Sequence, residues 1–209
     1  MFDNLKYKYN KSKLKKNEFD FIFDKNISTD EYIVLDTETT GLNPKKDEIL
    51  SIGAVKVKKN KIITSESFEI FIKPINKISD ESIKIHHILP QDIQNGTTIN
   101  NALEQLLYFV GNKTIVGYYI WFDVSILNRF LKQYIGSILP NKTIELSSMY
   151  YERYRKKSAH EFVDLKFDTI IDNLDIPILG KHDALNDSIM SAMIFLKLIN
   201  IPIYKGAFS

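Results

Sequence analysis

The chain has 209 residues, of which 44% are hydrophobic, and its formal net charge is +2 at neutral pH. This length allows one domain with a sizeable core, and so small a net charge neither requires nor excludes a polyanionic partner. The sequence contains no cysteine, which excludes disulfide bonds and leaves oxygen and imidazole groups as the available metal ligands.

The first 30 residues lack the regular hydrophobic spacing of the remainder and carry six lysines among positions 6–16. We predict residues 1–30 to be a basic, partly helical extension and residues 31–209 to form the principal domain. Further basic clusters lie at 56–61 and 153–157, and such clusters are as typical of solvated surface as of a nucleic acid interface. Because the N-terminus lacks a signal peptide's apolar stretch and no apolar run could span a membrane, we expect a cytoplasmic protein.

The first half of the chain carries β-type patterns. Residues 32–36 (YIVLD) form a short apolar run typical of a buried strand, and a turn-rich segment follows them. Two further β-type segments, at about 49–57 and 61–72, are joined by a lysine-rich turn at 58–60. This arrangement predicts an antiparallel hairpin.

Helices alternate with short strands in the second half. Apolar residues at helical spacing predict helices at 99–110 and 123–134, with a short buried strand, TIVGY, between them. A strand at TIELS, a helix near 163–174 and a long apolar helix from about 184 to 199 complete the chain. A meander followed by alternating strands and helices predicts an α/β sandwich on a mixed sheet.

Asp36 and Glu38 end the first predicted strand. Residues two apart on a strand point to the same side, so the two carboxylates project together. The run YIVL before them predicts burial, and adjacent buried anions repel each other unless a cation neutralises them. The pair is therefore a candidate metal site, although a triplet of this kind alone is weak evidence.

The last predicted helix adds Asp187 and His182. Asp187 lies in the first turn of a helix that is apolar nearly all round. Its negative charge is either stabilised by the dipole at the helix N-terminus or requires a cationic partner. If Asp183 is the N-cap, His182 falls on the preceding loop and is free to fold over the site. A histidine beside carboxylates is suited to act as a general base, whereas a lone surface histidine is more often only solvated.

Asp123 begins the second predicted helix, where aspartate commonly serves as an N-cap. The same helix carries Leu127, Phe130 and Leu131 on one stripe, which turns the carboxylate toward the sheet. We therefore expect that Asp123 can reach Asp36.

Together these segments resemble the histidine-bearing branch of the DEDD exonuclease superfamily, the DnaQ-like exonucleases, which include proofreading subunits of bacterial DNA polymerase III. The motifs that carry the resemblance are IVLDTETTGLNP, VGYYIWFDVSIL and HDALND, in this order. The resemblance implies a ribonuclease H-like fold, in which helices flank a five-stranded mixed sheet. It also implies a metal-dependent 3′-to-5′ exonuclease that releases nucleoside 5′-monophosphates from single-stranded or frayed DNA ends.

By the same resemblance, Asp36, Glu38, Asp123 and Asp187 would hold two Mg²⁺ or Mn²⁺ ions, and His182 would deprotonate the attacking water. The terminal nucleotide would contact Glu81 and His86, from the segment ESIKIHHI, together with Thr39 and Leu42. Tyr118 and Tyr119 lie in the middle motif, where many relatives carry His-Asn before the aspartate, and Tyr118 is a further candidate contact. Trp121 could stack on a base, although a lone tryptophan beside a helix start is more often part of the core.

Other functions fit the same residues. An RNA-trimming enzyme resembling ribonuclease T or oligoribonuclease is an alternative, because the 2′-hydroxyl is recognised by pocket detail. A non-catalytic nucleic-acid-binding module associated with a polymerase is disfavoured, since anions facing phosphate bring a pure binder no advantage. Only ten residues follow Ile199, where polymerase-docking subunits usually carry a longer tail, so association with a DNA polymerase is left open. The basic N-terminal segment is a candidate docking or DNA-holding element.

Overall fold

The sheet is five-stranded and mixed. In this computed structural model, residues 2–26, 30–76, 88, 90–155, 162–180 and 182–202 are described. The strands are β1 (Glu31–Thr39), β2 (Ile49–Lys58), β3 (Lys61–Phe71), β4 (Thr114–Gly117) and β5 (Thr143–Glu145), in the spatial order β3-β2-β1-β4-β5. β2 pairs antiparallel with β1 and β3, whereas β4 lies parallel to β1 and β5. The predicted mixed sheet is thus confirmed.

The β2–β3 hairpin has a two-residue turn. Lys59 and Asn60 both adopt left-handed backbone conformations, with φ of 48° and 59°. Positive φ at both central residues is the geometry that matches the twist of a tight hairpin. The predicted hairpin is therefore confirmed, with β2 extending one residue into the expected turn.

Helices cover both faces of the sheet. In the described part of the chain they are α1 (Phe2–Ser12), α2 (Pro90–Gln94), α3 (Ile99–Val110), α4 (Ile120–Tyr134), α5 (Leu146–Tyr154), α6 (Phe167–Asn173) and α7 (Ala184–Ile199), together with a 3-10 helix at Asn17–Phe23. The predicted bounds of α3 and α7 are confirmed, whereas α4 begins three residues earlier than predicted. α5 was not predicted, and α6 is shorter than the predicted helix. No helix among the described residues is long and apolar enough to cross a membrane.

β1 separates two apolar cores because its side chains alternate between the faces of the sheet. Ile33 and Leu35 pack into a cluster with residues of α3 and α4. Val34 lies on the other face, in a cluster with residues of α5, α6 and α7. The central strand therefore receives apolar packing from both sides, which explains why its sequence is apolar without interruption from Ile33 to Leu35.

The N-terminal segment packs on the domain. Phe19, Ile22 and Phe23 are 0%, 2% and 3% exposed and belong to the same cluster as α3 and α4. The backbone N–H of Lys15 also donates to the Ile135 carbonyl over 2.8 Å. The described residues 2–26 are partly helical, as predicted, and they contribute to the core instead of only extending from it.

Candidate active site

Asp36 and Glu38 lie near the C-terminal end of β1, on the face that carries Val34 and α7. Both side chains are partly buried. Asp36 pairs in register with Gly53 of β2, and the register shifts between Glu38 and Thr39, where β1 ends. The strand thus delivers two carboxylates side by side at the edge where regular pairing stops.

Asp123 reaches this edge because β4 is short. β4 pairs with β1 only as far as Val34, so the last residues of β1 have no strand beside them there, and α4 begins in that space. The Asp123 side chain is 4% exposed, and its Oδ1 accepts a hydrogen bond of 2.6 Å from the Thr37 hydroxyl. Asp123 lies in the first turn of α4 and is not the N-cap, which is Tyr119.

α7 brings Asp187 and His182 to the same site. Asp183 is the N-cap of α7, and its side chain accepts from the backbone N–H of Asn186 over 2.8 Å, which confirms the predicted cap. His182 lies on the preceding loop with a φ of 61°, and its backbone N–H donates to Asp187 Oδ2 over 3.1 Å. Glu38, His182 and Asp187 each offer one ligand atom, and these atoms lie within 4.8 Å of one another.

α7 lies close to the sheet at Gly53. A Cβ atom there would overlap the backbone of Ala184 and Leu185. The Ser188 hydroxyl donates to the Gly53 carbonyl over 2.8 Å, and the Ser188 side chain is fully buried. Only glycine leaves room for the first turn of α7 at this point, and that turn carries Asp187.

The clustered carboxylates oppose one another's ionisation. Burial, followed by the negative charges of Asp123 and Glu38, raises the pKa of Asp36 well above its ordinary value. The pKa of Glu38 is raised to about 8, chiefly by burial and then by Asp187. Burial also raises the pKa of Asp123 to about 7, and the Thr37 hydrogen bond opposes that rise. A divalent cation would remove this repulsion, and carboxylate oxygens are the ligands that Mg²⁺ and Mn²⁺ prefer, so the donor set fits such ions.

The residues predicted to contact the substrate differ from one another in exposure and in hydrogen bonding. Leu42 is 90% exposed, while the Thr39 hydroxyl donates to the Gly41 carbonyl over 2.7 Å. The Tyr118 hydroxyl donates to the Leu165 carbonyl over 2.8 Å, and its ring packs against Phe167, so that hydroxyl hydrogen is already used within the protein. Glu81 and His86 lie outside the described residues.

Trp121 does not lie in the core, which was the favoured interpretation of its sequence position. Its side chain is 58% exposed on the first turn of α4. The helix begins at Ile120, which puts Trp121 and Asp123 about 200° apart around the helix axis at 100° per residue. Since Asp123 points inward, Trp121 points to solvent.

Sequence reasoning missed two residues that support the acidic ones. Thr37 binds the Asp123 carboxylate, and the alternation of β1 could have assigned it to the face opposite Asp36. Glu145 at the end of β5 accepts from the backbone N–H groups of Tyr119 and Ile120. The sequence gives no signal for this contact, because its partners are 25 and 26 residues away.

Most of the chain is similar in sequence to a known family and to bacterial DNA polymerase III proteins. A family model described as exonuclease, RNase T, matches residues 33–195. The PolC-type DNA polymerase III of Caldanaerobacter subterraneus subsp. tengcongensis is 32% identical over 172 residues, which are 81% of this chain and 12% of that protein. The DNA polymerase III subunit epsilon of Aquifex aeolicus is 28% identical over 177 residues, which are 83% of both chains. The chain therefore spans about an eighth of the length of the PolC-type relatives it matches.

Solved structures share the fold. E. coli exonuclease I in complex with an oligonucleotide superposes with a TM-score of 0.69 at 16% identity, over 83% of this chain and 42% of that one. Exonuclease X in complex with 5′ overhanging duplex DNA gives a TM-score of 0.65 at 18% identity, over 84% and 95% of the two chains. The sheet order and flanking helices are thus those of the ribonuclease H-like fold.

Proposed function

The chain belongs to the RNase T exonuclease family, whose model matches residues 33–195, and on this premise we propose that it shortens DNA from the 3′ end. As a member of this family it is a nuclease, a hydrolase that cleaves phosphodiester bonds. Single-stranded or frayed ends are the proposed substrates, and nucleoside 5′-monophosphates are the proposed products.

One observation carries the proposal, namely the meeting of acids from three separate elements at one edge of the sheet. Glu38, His182 and Asp187 offer ligand atoms within 4.8 Å of one another, and Asp123 lies near enough to Asp36 for its negative charge to raise the pKa of Asp36. Asp36, Glu38, Asp123 and Asp187 would hold two Mg²⁺ or Mn²⁺ ions. The chemistry supplied by the bound metal would be a lowered pKa for the attacking water and stabilisation of the departing 3′ oxygen.

The chain's own residues would then position the reactants and move the proton. His182, exposed on its loop, would take up the proton of the attacking water on its imidazole, as a general base within reach of the reacting group. The hydrogen bond from the His182 backbone to Asp187 would keep the imidazole beside the acids. Thr37 would hold Asp123, and the exposed Leu42 would contact the terminal nucleotide together with Thr39.

DNA is proposed over RNA because the matched relatives are named as components of DNA polymerase III, and exonuclease X was solved with DNA. The same relatives make a DNA polymerase a candidate partner. Association with a polymerase, contacts from Glu81, His86 and Tyr118, a cytoplasmic location and the division at residue 30 stay predictions.

The test is a time course on end-labelled single-stranded DNA and on RNA of equal sequence, in Mg²⁺, Mn²⁺ or EDTA. We expect a 5′-labelled DNA strand to shorten stepwise and a 3′ label to appear at once as a mononucleotide. EDTA and Asp36→Ala should reduce the rate by more than the roughly 10- to 100-fold typical of losing an outer-shell partner. Glu66→Gln, which changes an exposed acid paired with Lys56, is the control and should leave the rate unchanged. An Asp36→Ala protein as fast as the parent would contradict the proposal.

A further inference from the structure

Glu145 joins two helices to the end of β5 through one carboxylate. Its Oε1 accepts from the backbone N–H of Tyr119 over 2.9 Å and from the backbone N–H and hydroxyl of Ser147 over 3.1 and 2.9 Å. Its Oε2 accepts from the backbone N–H of Ile120 over 2.9 Å. Both oxygens are therefore engaged at the N-terminus of α4, while one also caps α5.

The N-terminus of α4 needs a partner of this kind. The first N–H groups of a helix have no acceptor within the helix and are commonly satisfied by the side chain of the N-cap residue. Here the N-cap is Tyr119, which adopts a left-handed φ of 50° and makes no capping hydrogen bond with its side chain. Glu145 supplies the acceptor from a different strand, and a negative charge at this end also favours the helix dipole.

The turn that Glu145 holds also carries Asp123. The Asp123 carboxylate is 4% exposed, and Thr37 binds it from β1 over 2.6 Å. The charge of Glu145 is near enough to add a small contribution to the raised pKa of Asp123, after the larger effect of burial. Thr37 fixes one carboxylate oxygen, whereas Glu145 fixes the backbone on which the side chain is mounted.

We propose that Glu145 is a positioning residue, which holds the first turn of α4 against β5 so that the Asp123 carboxylate stays beside Asp36. This inference rests on the proposed function, because it assigns Glu145 to the geometry of the same metal site. A carboxylate that served only as the N-cap of α5 would account for the bonds to Ser147 but not for the bonds to Tyr119 and Ile120.

The experiment compares Glu145→Gln and Glu145→Ala with the parent and with Thr98→Ala, each assayed well below its melting temperature. Thr98 is the N-cap of α3 and accepts from the Asn101 backbone N–H, so its loss reproduces the weakening of a helix cap away from the site. Hydrogen exchange of the Tyr119 and Ile120 amides in metal-free protein reports on their hydrogen bonds to Glu145. Mn²⁺ affinity, kcat and KM report on the site.

We expect both Glu145 variants to lose protection at the two amides and to lose about 10- to 100-fold in Mn²⁺ affinity or kcat, the usual effect of removing an outer-shell partner. KM for DNA should change less than twofold, and Glu145→Gln, which keeps one acceptor oxygen, should be the milder variant. Thr98→Ala should lower the melting temperature and leave Mn²⁺ affinity and kcat at the parental values.

Two outcomes would overturn the inference. In the first, Glu145→Gln exposes the two amides, yet Mn²⁺ affinity and kcat match those of the parent. In the second, Thr98→Ala impairs Mn²⁺ affinity as strongly as Glu145→Gln, which would make the effect one of general destabilisation. If the parent protein neither binds Mn²⁺ nor shortens DNA, the proposed function is contradicted, and the inference that rests on it is contradicted as well. The two failures are thus distinguishable.

Discussion

Thr37 lies between the two acids of β1 in sequence, but its side chain lies on the opposite face of the sheet. From there its hydroxyl donates to Asp123 over 2.6 Å, and both side chains are buried. Strand alternation therefore lets one short segment offer two carboxylates on one face and an anchor for a third on the other. At pH 8, above the raised pKa of about 7, the Asp123 carboxylate is mostly ionised, and this hydrogen bond is then of the stronger, charge-assisted kind.

Replacing Thr37 with valine keeps the shape of the side chain and removes the donor. At pH 8 we expect Thr37→Val to lower the free energy of unfolding by about 1.5 to 3 kcal/mol, the usual contribution of a hydrogen bond to a charged group. The pKa of Asp123 should also rise, since the Thr37 hydroxyl holds it down. Urea denaturation measures the first effect and the pH dependence of activity the second.

A matched control is Thr169→Val. Thr169 makes the same type of hydrogen bond, over 2.9 Å, to the carboxylate of Asp164, which is only partly buried. Water can replace the donor there, so Thr169→Val should lower the free energy of unfolding clearly less than Thr37→Val does. Equal losses at the two sites would show that burial of the Asp123 carboxylate does not strengthen its bond to Thr37.

The acids of the site could be predicted from the sequence, but the residues that hold them in place through hydrogen bonds, Thr37 and Glu145, could not. Asp36 and Glu38 follow an apolar run, and Asp187 lies in an apolar helix, so each is an acid where burial is expected. The partner of Thr37 is 86 residues away, and a hydroxyl is common enough in strands to give no signal of its own. Tertiary contacts of this kind become visible only once the ends of β1, β4 and β5 are brought together.

At the scale of elements, the contact between α7 and β2 fixes the site. Gly53 is the point of closest approach, and Ser188 of α7 donates to its carbonyl over 2.8 Å. Because Gly53 pairs with Asp36 across the β1–β2 ladder, the helix crosses the sheet directly beside the first acid. The position of Asp187 relative to Asp36 therefore depends on a glycine that has no chemical role.

Gly53→Ala should displace the first turn of α7. The added methyl group would meet backbone atoms, which cannot rotate away as a side chain would, so we expect a loss of about 1 to 3 kcal/mol or more in stability. Mn²⁺ affinity should fall as well, because Asp187 moves with the turn. Chemical denaturation and Mn²⁺ titration of the folded protein measure the two effects.

Gly111→Ala is the control for the general cost of replacing a glycine. Gly111 has a φ of 53°, a ψ of −133° and no atom within 4 Å of the added Cβ, so the expected cost is the backbone strain alone, about 1 to 3 kcal/mol for a conformation that favours glycine. Its Mn²⁺ affinity should equal that of the parent. A Gly53→Ala protein with unchanged Mn²⁺ affinity would contradict the role given to this contact.

Elements with a strong hydrophobic period could be predicted, and those without one could not. α3 was predicted with its observed bounds because apolar residues recur along it at helical spacing, and α7 because its sequence is apolar nearly all round over the length of a helix. α5 was missed because LSSMYYERY has no clear apolar stripe and follows a segment that resembles a strand. The core residues of Asn17–Phe23 were missed because seven residues are too few to establish a hydrophobic period, although Phe19, Ile22 and Phe23 are buried.

At the scale of the whole molecule, a group of acidic side chains lies close together at one edge of the sheet in a nearly neutral protein. The chain has 26 acidic and 28 basic residues, yet the groups that raise the pKa of Asp36 after burial are all acids. Folding therefore assembles like charges that are separate in the unfolded chain. In the absence of metal, part of the stability supplied by the two apolar cores is lost to this repulsion.

The raised pKa values of the clustered acids determine how the stability of the metal-free protein depends on pH. Asp36, Glu38 and Asp123 have raised pKa values in the folded protein, so between about pH 4 and pH 8 the folded state holds protons that the unfolded chain has released. The free energy of unfolding of the metal-free protein should therefore fall as the pH rises through this window. Melting temperatures in EDTA at pH 5 and pH 8 test this, and Mn²⁺ at pH 8 should restore stability.

Asp36→Asn separates this electrostatic cost from other effects of pH. Without the Asp36 charge, the metal-free variant should melt at a higher temperature than the parent at pH 8, depend less on pH, and gain less from Mn²⁺. Glu66→Gln, at an exposed acid in an ion pair with Lys56, should keep the parental slope. If Asp36→Asn stabilises the metal-free protein, the fold holds the Asp36 carboxylate in place against repulsion from the neighbouring acids. An Asp36→Asn protein less stable than the parent at pH 8 would mean that the carboxylate contributes to folding without metal.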